Sequence, residues 1–63
     1  MPDKRIVLVV DHYAALADGK LMGIVQRNGD GSWGWFPIDD VPGMQYVELH
    51  HALGYAKRAL ERS

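Results

Sequence analysis

Sixty-three residues carrying seven basic and eight acidic side chains, a net charge of −1 and no cysteine read as one small domain spanning 1–63. That balance supplies no bulk attraction to nucleic acid or to an anionic membrane, and the lack of thiols excludes disulfides and thiolate-bound zinc. A domain this size buries only about 60% of the surface its unfolded chain exposes, so self-association or a partner is the expected source of additional stability.

In chain order, Met1 to Arg5 is polar and reads as a frayed start until Lys4. Ile6 to Val10 is then an unbroken run of strand formers ended by Asp11, and uninterrupted apolarity predicts a strand buried on both faces. It is the longest apolar run and far too short to cross a bilayer, so the expectation is a soluble, cytoplasmic protein with no membrane role. His12 to Gly19 contains good helix formers and ends in glycine, which predicts either one or two helical turns capped by Asp11 or a connecting loop.

Leu21 to Ile38 is the strongest local signal, two apolar runs around Asn28-Gly29-Asp30-Gly31, and it predicts a β-hairpin. A loop over residues 28 to 31 pairs Gln26 with Trp33, Val25 with Gly34, Ile24 with Trp35 and Gly23 with Phe36. In that register one face collects Leu21, Val25, Phe36 and Ile38, and the other collects Met22, Ile24, Gln26, Trp33 and Trp35. Pro37 and Pro42-Gly43 end the strand and turn the chain, and Met44 to Val47 reads as a short fourth strand. Leu49, Ala52, Leu53, Ala56, Ala59 and Leu60 recur at helical spacing, with Lys57, Arg58 and Arg62 near the end that favours cations. Gly54 stands mid-helix on the polar side. The fold class expected is α+β: a three- to four-stranded antiparallel sheet in β-β-β-α order, with one C-terminal amphipathic helix on one face. Helix residues Leu49, Leu53, Ala56 and Leu60 are expected against the Val25 and Phe36 face.

That arrangement leaves the face carrying Met22, Ile24, Trp33 and Trp35 uncovered, with Arg27 beside it, and these five are the expected partner-binding residues. The same rings could stack bases, but only Arg5, Lys20 and Arg27 could supply a cationic track, and Asp30, Asp39 and Asp40 oppose it, so nucleic acid is the less favoured ligand. Lys57, Arg58 and Arg62 form a secondary basic edge. His12 with Asp11, and His50 with His51, are metal-ligand types, yet adjacent helical side chains diverge by about 100°, so no metal and no cofactor is expected. Asp39 and Asp40 lack an accompanying nucleophile, base or oxyanion donor and read as turn caps. No enzyme is expected.

The sequence from Gly29 to Glu61 resembles the HicB family of antitoxins in the order Asp30-Gly31, Phe36-Pro37, Pro42-Gly43, then Ala52-Leu53 through Ala59-Leu60-Glu61. The resemblance covers about half the chain, leaves out the strand from Ile6 to Val10, and has no DNA-binding domain after the helix. It implies a non-enzymatic, oligomeric protein that masks a small RNA-cleaving toxin. The function expected is therefore neutralisation of a partner protein by occlusion. A second reading is an anti-CRISPR-like inhibitor of host defence machinery. Either is expected to act as a homodimer.

Overall fold

A computed structural model describes residues 3–62, so the expected fraying at Met1 and Pro2 lies outside the described residues. Four strands precede one helix: β1 (Lys4–Val9), β2 (His12–Ala17), β3 (Lys20–Arg27), β4 (Trp33–Pro37) and α1 (Leu49–Arg62). The strands form one antiparallel sheet in the order β1-β2-β3-β4, each paired with its neighbour in sequence. The helix lies across one face and touches all four strands. The α+β class and the helix on one face are as expected; the identity of the fourth strand is not.

Residues 12–17 form neither helical turns nor a loop. They are β2, because two-residue turns on either side leave no length for helix nucleation. Asp18 and Gly19 have φ of 53° and 80°, the positive values a primed hairpin turn requires, and Ala17 faces Lys20 across it. Asp-Gly supplies that geometry readily; Val10, in the preceding turn, does not. Its φ of 57° is an outlier for a β-branched residue, and its side chain is 93% exposed. Asp3 is tied down, its carbonyl accepting from the Asp18 amide at 2.7 Å and its amide donating to Asp18 Oδ1 at 2.7 Å.

β1 is not buried on both faces. It is the edge of the sheet, and only Ile6 is even half-buried. Met44 to Val47 is not a full strand either. Trp33 and Val47 exchange backbone bonds of 2.7 and 2.9 Å, and the Trp35 amide donates to Met44 at 2.9 Å, so this segment seals the outer edge of β4.

The core is small: Ala15, Val25, Trp35, Ala52, Ala56 and Leu60. The expected helix stripe is shifted slightly, with Ala52, Ala56 and Leu60 at its centre and Leu49, Leu53, Tyr55 and Ala59 flanking it, half-buried. Alanines let the helix axis approach the sheet closely, and Trp35 fills the space between. Gly23 and Gly43 complete its seat. A Cβ at Gly23 would lie 2.8 Å from Trp35 Cζ3 and 2.9 Å from the Phe36 carbonyl oxygen, and one at Gly43 would lie 2.6 Å from Trp35 Cδ1.

Gly54 has no such reason to be glycine, since a Cβ there meets nothing within 4 Å. Replacing Gly54 with Ala should therefore raise unfolding free energy by about 0.5–1 kcal/mol, the usual helix-interior difference. Gly23→Ala should lower it by about 1–3 kcal/mol through overpacking against the indole and a backbone carbonyl. Urea denaturation of the two variants beside the parent chain measures both signs.

Candidate functional site

The hairpin loop contains five residues, 28–32, one more than the sequence pattern predicts. Asp30 is the cause: its carboxylate accepts from the Ser32 amide at 3.0 Å and from the Ser32 hydroxyl at 2.5 Å. The Asn28 amide donates to the Ser32 carbonyl at 2.7 Å, and Asn28 Nδ2 donates to Ser32 Oγ at 3.1 Å, so Ser32 closes the loop and does not oppose Arg27. The ladder runs Arg27 with Trp33, Gln26 with Gly34, Val25 with Trp35, Ile24 with Phe36 and Gly23 with Pro37.

One added loop residue exchanges the two faces. Trp33 and Trp35 lie on the helix side with Val25, not on an uncovered face. Trp35 is 5% exposed, and Trp33 is half-buried with its ring 5.9 Å from that of Tyr13. Met22 also packs against the core, because a bulge in β3 opposite Ala15 and Leu16 turns it toward the helix. Arg27 pairs with Trp33 and so shares the helix side, while remaining exposed. Of the five expected partner-binding residues, Ile24 alone lies on the face the helix leaves bare. Base stacking on Trp35 would require the helix to leave the sheet.

The bare face follows from the register. Val7 pairs with Ala14, Ala14 with Ile24 and Ile24 with Phe36, while Leu16 pairs with Leu21 and Val9 lies two residues from Val7 on the same side. Phe36 lies here rather than against the helix, its ring over Gly34, where an added Cβ would come within 3.0 Å of Phe36 Cε2. Val7, Val9 and Leu21 are each more than a third exposed, and Ala14, Leu16, Ile24 and Phe36 shield one another partly. Arg5, His12 and Gln26 supply its polar margin, with Arg5 held by Asp3 at 2.6 Å. This is an apolar surface on a regular sheet scaffold, suited to a protein contact.

The basic edge does not form one surface. Arg58 lies over the Tyr55 ring at 5.9 Å, and Arg62 Nε donates to the Arg58 carbonyl at 3.4 Å. Lys57 borders a groove beside β1, whereas Arg62 also borders Asp39 and Asp40 near β4. Asp40 caps its own turn by accepting from the Val41 amide at 2.8 Å. His50 and His51 do not diverge as expected. Their ring centroids are 4.1 Å apart, and with Glu48 their ligand atoms fall within 4.8 Å of one another. All three are exposed at the N-terminus of α1, where the helix dipole disfavours a cation. His12 pairs instead with Asp11, at 3.4 Å.

Among the described residues no helix is long and apolar enough to cross a membrane. Compared with family models, with characterised proteins and with solved structures, the chain matches none.

The Asp30 contacts carry a pH dependence. Hydrogen bonds from the Ser32 hydroxyl, and then from its amide, hold the Asp30 carboxyl below its ordinary value of 3.8. A depressed carboxyl contributes loop stability that is complete above the ordinary value and is lost as pH falls through the lowered one. An NMR titration should give an Asp30 midpoint below 3.8, and Ser32→Ala should move that midpoint upward.

Proposed function

We propose that this chain is a non-catalytic protein-binding module that acts by occlusion, covering a surface of its partner with the sheet face opposite α1. The observation that carries this reading is the continuous apolar surface of Val7, Val9, Ala14, Leu16, Leu21, Ile24 and Phe36, which every strand contributes to and no helix or strand among the described residues covers. Burial of such a surface releases water at roughly 25 cal/mol per Å², and the rigid pleat beneath it limits the entropy lost on association. The partner implied by the HicB-like pattern is a small RNA-cleaving toxin. The motifs of that pattern occupy the hairpin loop (Asp30-Gly31), the end of β4 (Phe36-Pro37), the following turn (Pro42-Gly43) and α1.

The test is capture from native lysate by the immobilised chain and by a double variant, Val9→Lys with Leu21→Lys. Both positions are exposed in the free protein, so the variant should keep its circular dichroism spectrum and melting transition. A stoichiometric protein should be retained by the parent and lost, by about tenfold or more in affinity, by the variant. Retention of the same protein by both, or of no stoichiometric protein by the parent, removes this reading. An RNA-cleaving partner should lose its nuclease activity when the chain is added.

A further inference from the structure

We infer that a second copy of this chain docks along the β1 edge, joining two four-stranded sheets into one antiparallel sheet of eight strands. This contact uses the backbone edge of β1 and the helix-side residues Ile6 and Leu8, whereas the partner is assigned the opposite face of the sheet. β4 cannot serve, since residues 43–47 occupy its outer side. β1 is the other end of the sheet, with charges confined to Lys4 and Arg5 at its start, and from Ile6 to Val9 it has no proline, no bulge and no charge.

The backbone fixes which residues of β1 can pair outward. The Asp18 amide donates to the Asp3 carbonyl, which makes Asp3 and Asp18 a hydrogen-bonded pair, and such pairs alternate along an antiparallel ladder. Arg5, Val7 and Val9 therefore direct their amides and carbonyls toward β2. Ile6 and Leu8 direct theirs outward. A two-fold axis through Val7, perpendicular to the sheet, sets Ile6 of each copy opposite Leu8 of the other, and each such pair exchanges both backbone bonds.

The side chains fit the same register. Leu8 is 59% exposed, an apolar side chain with too little cover at one end of the strand. At the other end a shallow groove of about 250 Å³ lies between β1 and α1, with Ile6 and Leu60 as its apolar lining and Lys4, Arg5, Lys57 and Glu61 around it. Opposite residues on adjacent strands have Cβ atoms about 4.5–5.5 Å apart, so Leu8 of one copy enters the Ile6 and Leu60 groove of the other. The axis repeats the seat. A foreign strand could satisfy the backbone, but the exposed leucine two residues from the groove that accepts it is a feature of this strand paired with itself. One strand edge buries less than the roughly 1,200 Å² of a standard interface, so the assembly is reversible and concentration-dependent.

Sedimentation equilibrium between about 10 µM and about 1 mM, combined with amide hydrogen exchange, tests the contact. A monomer–dimer equilibrium is expected, with the Ile6 and Leu8 amides slowed as the dimer fraction rises and Leu8→Lys weakening assembly by about tenfold or more. Because Leu8 is exposed, that variant leaves the monomer folded, and its unchanged thermal transition provides the check. A monomer throughout the range overturns the inference. So does a dimer in which the Ile6 and Leu8 amides exchange as they do at high dilution, or one that Leu8→Lys leaves intact.

Discussion

One side chain determines how this domain closes. Trp35 is the largest buried residue, and its neighbours in the core are small: Ala15 on the sheet, Ala52 and Ala56 on the helix, with Gly23 and Gly43 against the edges of the ring. The sheet and helix meet over an indole, not over interdigitated leucines. That choice fixes the close approach of α1, and it brings Gly43 near enough for its amide to donate to the Trp35 carbonyl at 2.9 Å. The segment that follows then seals the edge of β4. Aromatic burial, helix placement and edge protection are thus consequences of one residue, in a chain whose core contains few others of any size.

With one helix among the described residues, one side of the sheet is covered and the opposite side is left open. It is apolar. The bulge in β3 allows this on both sides, because Met22 and Gly23 both face the helix, leaving Leu21 and Ile24, three residues apart, together on the outer surface. The strained Val10 stands at the apex of the first hairpin, following directly on Val9 of that surface. A left-handed, β-branched, almost fully exposed residue is disfavoured by backbone and solvent alike.

The class, the β3–β4 hairpin, the helix and its buried stripe were legible from period, turn chemistry and amphipathicity. The face was not. It depended on whether Ser32 belonged to the loop or to the strand, and a period-two pattern with apolar residues on both sides cannot decide that. The Asp30-x-Ser32 spacing, which lets a carboxylate capture both the amide and the hydroxyl two residues on, held the answer. β2 was obscured by its four helix-favouring residues, three alanines and a leucine, where tertiary context overrode propensity; Asp18-Gly19 was the contrary signal. Apolarity of β1 read as burial because an exposed edge and a central strand can share a composition. The helix N-terminus brought His50 and His51 together because imidazoles there are free to bend toward each other beyond the backbone's angular spacing.

The simple order of the sheet has a kinetic corollary. Every strand pairs with the one before it across a short reversal, so the sheet assembles from neighbouring strands with little loop-closure entropy to overcome. The exception is the docking of α1, which touches all four strands and meets β1, β2 and β3 from far along the chain, so that it needs the meander in place. A domain built in this order reaches its sheet quickly and acquires its helix last. During that interval Trp35 and Trp33 are left in water, and tryptophan emission reports the moment the two layers join.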